Sequence, residues 1–315
     1  MLSYLSLVAG LIILVFAGDL LVRGAVGLAE RLGIPPLVIG LTIVAFGTSA
    51  PELVISLEAA SENAGGIAIG NVVGSNIANI LLVLGAPSLI ALIVCHGEGT
   101  KRSAIFMIAV TLLFLALSSD GLLSRLDGVV MLSLLVFFLY ENYRTAKRHR
   151  RHAQEALEDE FSDVSEKSTL LLSTFLVIGL IGLPIGAHFT IFGATSIARD
   201  WGISETTIGL TVVAIGTSLP ELVAALMAAW HRHGAVAIGN VIGSNIFNIL
   251  AIMGTTSVFY PLPVPEDIFQ PDAWLMLLTS LALLPFIFLR KPITRPVGMV
   301  MVVLYISYVG FALHS

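Results

Sequence analysis

The sequence predicts an all-α polytopic membrane protein with ten transmembrane helices in two inverted five-helix repeats. Three observations carry that prediction. The 315 residues are 57% hydrophobic and only 12% charged, with a mean hydropathy of +0.96, which excludes a soluble globule. Apolar runs of about 20 residues, long enough to cross a bilayer, recur along the whole chain. Finally, residues 40–85, GLTIVAFGTSAPELVISLEAASENAGGIAIGNVVGSNIANILLVLG, return at 209–254 as GLTVVAIGTSLPELVAALMAAWHRHGAVAIGNVIGSNIFNILAIMG. Such a repeat is the mark of a duplicated structural unit.

The N-terminal half, residues 1–143, supplies runs near 4–29, 36–60, 66–94, 103–119 and 126–143. The first lacks the basic flank and small-residue cleavage site of a signal peptide, so it is expected to remain as a span. The C-terminal half, 168–315, repeats the series near 168–198, 205–230, 235–260, 273–289 and 295–313. An odd number of spans per half makes the second copy enter the bilayer from the opposite face, hence the expected inversion. Between the halves lies 144–167, RTAKRHRRHAQEALEDEFSDVSEK, too short for a folded domain. It reads as a solvated tether, with a juxtamembrane helix against anionic lipid as the alternative.

Orientation follows from the basic residues. In the ten-span scheme all Lys and Arg except Arg125 and Arg199 fall on one side, including the block Arg144, Lys147, Arg148, Arg150 and Arg151. That side is expected to be cytoplasmic, with the linker inside and both termini outside. Glu62, Asp120, Asp127, Glu266, Asp267 and Asp272 then lie outside, where they read as ordinary loop solvation. A prokaryotic cytoplasmic membrane is the expected location. The single cysteine, Cys95, excludes an intrachain disulfide and carries no redox information beyond that.

The chemistry sits in the repeat. Every polar residue of the GTSxPE and GNxxGSNxxN strings recurs at a constant offset of 169, whereas the spacer drifts from SEN to WHR. Pro51 and Pro220 lack an N–H and clash one turn back, freeing the Gly47 and Gly216 carbonyls and breaking the helix. Freed backbone oxygens at bilayer depth need a hydrated cavity or a cation. Helical spacing gathers Thr48, Ser49 and Glu52 on one face, and likewise Thr217, Ser218 and Glu221. In the next span Asn71, Ser75 and Asn79 form a stripe, matched by Asn240, Ser244 and Asn248. These are oxygen donors without Cys or His, the choice of hard cations such as Ca²⁺ and Na⁺. Any single Ser or Asn could serve as interhelical glue. A lone intramembrane carboxylate is harder to excuse, since it costs about 2.5–3.5 kcal/mol on insertion scales. Two at equivalent positions, with no basic residue in the same runs, call for a cation.

These paired strings resemble the alpha repeats of the calcium/cation antiporter superfamily, on the side of the sodium/calcium exchangers and near their short prokaryotic members. The resemblance covers most of the chain. It implies a site between spans 2, 3, 7 and 8, with the two glutamates on Ca²⁺ and with hydroxyls, carbonyls and an amide on Na⁺. Position by position, the implied ligands are Ala45, Thr48, Ser49, Glu52, Ser75 and Asn79, then Ala214, Thr217, Ser218, Glu221, Ser244 and Asn248. Some prokaryotic relatives carry Asp where this chain has Asn248. Proton-coupled relatives tend to have Asn in place of the Thr-Ser-Pro element before the glutamate, so its retention here favours Na⁺. No cofactor, nucleic acid or obligatory protein partner is implied.

Outside the repeat, Asp19 and Arg23 read as a local ion pair, and His188, at the equivalent place in the sixth span, reads as a hydrogen-bonded helix contact. The turn His231-Arg232-His233 offers a weak HxH metal pair. Ca²⁺/H⁺ antiport is the alternative function, because two carboxylates sharing an apolar site also attract protons. A passive channel is disfavoured by a duplicated charged trap. An intramembrane aspartyl hydrolase built on Asp19 lacks a second intramembrane Asp, and the absence of GxxxxGK[ST] leaves a nucleotide-driven pump unsupported.

Overall fold

The computed structural model describes residues 2–95, 97, 99–157, 168–203, 212, 214–265 and 268–312. Its elements are α1 (Leu2–Leu32), α2 (Pro36–Thr48), α3 (Ala50–Ser61), α4 (Gly65–Ile90), α5 (Thr100–Ser118), α6 (Arg125–Leu157), α7 (Thr169–Asp200), α8 (Ala214–Thr217), α9 (Leu219–Trp230), α10 (Gly234–Phe259), α11 (Pro271–Phe288) and α12 (Arg295–Ala312). Among the described residues eight helices are long and apolar enough to cross a membrane, and the pair α2 and α3, bent by 43°, makes up to nine. The expected seventh span, 205–230, lies partly outside the described residues; its described remainder is α8 and α9.

The two breaks share one geometry. Ser49 separates α2 from α3 with φ −85° and ψ 5°, and Ser218 separates α8 from α9 with φ −87° and ψ 5°. In each case the proline stands in the first turn of the new helix, where its missing N–H costs nothing. Past the far ends, Asn63 and Arg232 both turn the chain with positive φ, 60° and 62°.

Around these, α1 and α7 pack antiparallel over their length. A Cβ on Gly10, Gly24, Gly179 or Gly193 would approach the opposite backbone to 2.6 Å or closer, so only glycine permits this seam. The α2/α10 contact is as close: a Cβ on Gly243 would lie 2.6 Å from the Leu41 carbonyl. Together α4 and α10 form the centre, and α10 is the most deeply buried candidate span.

Two expectations need correction. The chain is not wholly helical, since Leu122–Leu123 pairs antiparallel with Leu262–Pro263, and Ile93 bridges Ile293. Beside that bridge Cys95 is buried and free. Nor do residues 144–157 form a tether, because α6 runs through them to Leu157; residues 158–167 lie outside the described set. The basic stretch that continues the helix is rich in good helix formers.

Candidate functional site

The helix breaks deliver the carboxylates to the interior. Glu52 sits in the first turn of α3 and Glu221 in the first turn of α9, where the positive ends of the helix dipoles favour negative charge. Each is only 1% exposed, and they lie near enough for their charges to interact. The backbone carbonyl of each faces a side-chain amide at 3.4 Å, Asn71 Nδ2 for Glu52 and Asn240 Nδ2 for Glu221.

Hydrogen bonds link the two copies. Thr48 Oγ1 donates to Asn240 Oδ1 at 3.3 Å, and Ser49 Oγ donates to Glu221 Oε1 at 3.0 Å. Asn79 Nδ2 donates to Asn245 Oδ1 and Asn248 Nδ2 to Asn76 Oδ1, both at 3.0 Å. Asn76 and Asn245 also exchange side-chain donors for each other's backbone carbonyls at 3.3 and 3.4 Å. Sequence reasoning passed over these two residues because they lie off the stripe of every fourth residue. Their presence in both GSN strings was the available signal.

Among the expected residues, Ala45, Ser75 and Thr217 are also buried. The Ala45 carbonyl accepts from Thr48 Oγ1 at 3.3 Å and from Ser49 N at 3.0 Å. Ala214 opens α8, but its side chain lies outside the described set.

What remains unpaired defines the chemistry. Glu52 Oε2, Glu221 Oε2, Asn79 Oδ1, Asn248 Oδ1, Ser218 Oγ and Ser244 Oγ are buried without a protein hydrogen-bond partner. Buried polar atoms are paired almost everywhere in folded proteins, and an uncompensated buried charge is costly. Among the described residues no Lys, Arg or His ion-pairs with either glutamate. Among the described residues no group of three or more His, Cys, Asp or Glu gathers to hold a metal. Oxygens with unused lone pairs around two carboxylates can coordinate a hard cation.

At the periphery Asp19 pairs with Arg23 at 3.0 Å, as expected, and also meets His231 Nε2 at 2.7 Å. The HxH turn thus docks α9 onto α1. His188 is exposed and sits edge-on to the neighbouring Phe189 ring.

Known proteins resemble this chain in sequence and fold. The family model described as "Sodium/calcium exchanger protein" matches residues 2–143 and 171–314. Inner membrane protein YrbG of Escherichia coli is 35% identical over 288 residues, covering 91% of this chain and 89% of its own. Sodium/calcium exchanger MaX1 of Methanosarcina acetivorans is 36% identical over 339 residues, with 97% of both chains covered. The solved structure of the sodium-calcium exchanger NCX_Mj, soaked with 2.5 mM Na⁺ and 0.1 mM Ca²⁺, superposes with a TM-score of 0.85 at 34% identity over 98% of each chain. With its apolar helices, its duplicated buried carboxylates and these matches, the chain is an integral membrane protein that belongs to the sodium/calcium exchanger family of cation antiporters.

Proposed function

We propose that this protein exchanges Ca²⁺ for Na⁺ by alternating access at one midplane site built from both repeats. The observation that carries the reading is that, within the repeated strings, the buried oxygens without protein partners belong to Glu52 and Glu221, Asn79 and Asn248, Ser218 and Ser244. The two carboxylates supply a formal charge of −2, which one Ca²⁺ balances. The amide oxygens of Asn79 and Asn248 complete a shell around it. For Na⁺ we assign the same two carboxylates, completed by the hydroxyls of Thr48, Ser49, Ser75, Thr217, Ser218 and Ser244 and the carbonyls of Ala45 and Ala214. Because both ions use the same carboxylates, they exclude one another, and mutual exclusion at one site is what couples two opposed fluxes.

The accompanying architecture is ten helices in two inverted repeats, 1–143 and 168–315, with the 144–167 linker cytoplasmic and both termini outside. The constant offset of the repeat and the matched backbone at Ser49 and Ser218 support it. The deciding experiment is ⁴⁵Ca²⁺ uptake into proteoliposomes under separately imposed Na⁺, K⁺ and pH gradients. Uptake is expected to follow the Na⁺ gradient. Uptake that ignores Na⁺ and follows pH would replace this reading with Ca²⁺/H⁺ antiport.

A further inference from the structure

An asparagine is a useful cation ligand in only one of its two amide orientations. The oxygen attracts a cation, whereas the NH₂ carries partial positive charge and repels it. The two orientations differ by a half-turn of a terminal torsion and have nearly the same shape. A site that relies on Asn79 and Asn248, both fully buried, therefore needs something that tells the amide which way to face. Neither residue can obtain this from the site itself before an ion arrives.

The information comes from the backbone. A main-chain carbonyl can only accept, so the Asn76 carbonyl fixes Asn245 with its Nδ2 inward at 3.4 Å. Asn245 Oδ1 is then left to accept, and it receives Asn79 Nδ2 at 3.0 Å. That directs Asn79 Oδ1, which has no protein partner, away from the pair. The mirror chain runs from the Asn245 carbonyl to Asn76 Nδ2 at 3.3 Å, then from Asn248 Nδ2 to Asn76 Oδ1 at 3.0 Å, leaving Asn248 Oδ1 free in the same way. Each repeat thus orients an amide of the other.

We infer that Asn76 and Asn245 are positioning residues that lock Asn248 and Asn79 with their amide oxygens towards the transported cation. The inference rests on the cation-site reading of Glu52 and Glu221. Its distinctive consequence concerns a carboxylate. Aspartate offers an oxygen whichever way it turns, so a site with Asp at 248 has no need of Asn76. With Asn76 intact, the same Asp would instead turn a carboxylate oxygen onto Asn76 Oδ1.

The test is direct Ca²⁺ binding to the purified full-length protein in detergent, with folding followed by size-exclusion profile. The variants are Asn76→Ala, Asn248→Asp, the double variant, and Glu52→Gln as a reference. Asn76→Ala is expected to weaken Ca²⁺ binding by about tenfold, the equivalent of one displaced ligand dipole. Asn248→Asp is expected to restore most of that loss in the Asn76→Ala background while giving little or no gain alone. The mirror set, Asn245→Ala with Asn79→Asp, should behave alike. Near-wild-type affinity in Asn76→Ala, or the same effect of Asn248→Asp in both backgrounds, overturns the inference. If Asn76→Ala does not fold, Asn76→Leu, which keeps the volume, takes its place. If neither folds and Asn248→Asp rescues neither, Asn76 belongs to the scaffold and the inference fails. Loss of binding in Glu52→Gln alone leaves the cation site standing without the orienting role, whereas wild-type binding in Glu52→Gln removes the site reading itself.

Discussion

The two copies of the carboxylate segment have the same backbone and different surroundings. Ser49 and Ser218 agree in φ and ψ to within a few degrees, and Asn63 and Arg232 share a left-handed turn. Yet Ser49 donates to Glu221 across the interface, while Ser218 Oγ has no protein partner. Asp19 reaches His231, while the residues at the same offset, His188 and Glu62, are both exposed. Duplication has copied the local fold, because that follows from proline, glycine and hydrophobic pattern. It has not copied the contacts between halves, which depend on how the halves sit. Residues that are twins in sequence should therefore carry unequal loads wherever a contact between halves is involved, and equal loads where charge alone matters.

The largest effect should be the symmetric one. Glu52→Gln and Glu221→Gln are each expected to abolish ⁴⁵Ca²⁺ flux, since one carboxylate cannot neutralise a dehydrated divalent ion. Flux near wild type in either variant would mean that the copies do not share a site.

Next comes the asymmetric pair. Ser49→Ala removes a hydrogen bond to a buried charge, worth about 1.5–3 kcal/mol, and should weaken Ca²⁺ binding by an order of magnitude or more. Ser218→Ala deletes a hydroxyl that no protein group uses and should cost less. Equal losses in titration calorimetry would show that the difference between the copies has no energetic weight.

A smaller effect should appear with pH. Protons and cations compete for the same two carboxylates, so the Ca²⁺ half-saturation concentration should rise as pH falls, and added Ca²⁺ should relieve the inhibition. Acid that lowers only the maximal rate would place the inhibition outside the two carboxylates.

The weakest expected effect lies at the edge. Asp19→Asn and His231→Ala break a partly exposed pair worth at most about 1 kcal/mol, and should lower the thermal unfolding midpoint by about 1–2 degrees at most. Glu62→Gln and His188→Ala should leave it unchanged. A matching drop in all four would show that the edge contacts are as symmetric as the backbone.

How much of this could be read from the sequence follows the same division. The breaks at Ser49 and Ser218 were legible because Pro51 and Pro220 act on their own turn, and the buried carboxylates because charge in an apolar run has few explanations. The extension of α6 to Leu157 was not. A search for apolar runs ends at the first charges, whereas the residues beyond them are good helix formers and need no apolar face to stay helical. The orienting asparagines were missed for a related reason. Asn76 does not share a stripe with Ser75 and Asn79; its partners are Asn245 and Asn248, about 170 residues away, and no periodicity within one helix reports on a neighbour.

Cys95 is the chain's single cysteine, sealed beside the Ile93–Ile293 bridge, and burial pushes its thiol up to about 12. Thiol reagents attack the thiolate, so at neutral pH the native protein is a blank background for them. Any cysteine introduced at the surface becomes the sole reactive handle, with no need to engineer away a native one. Asn63→Cys and Lys147→Cys should accordingly take up an impermeant maleimide from opposite faces of a sealed vesicle, turning the charge-based orientation into a two-tube assay.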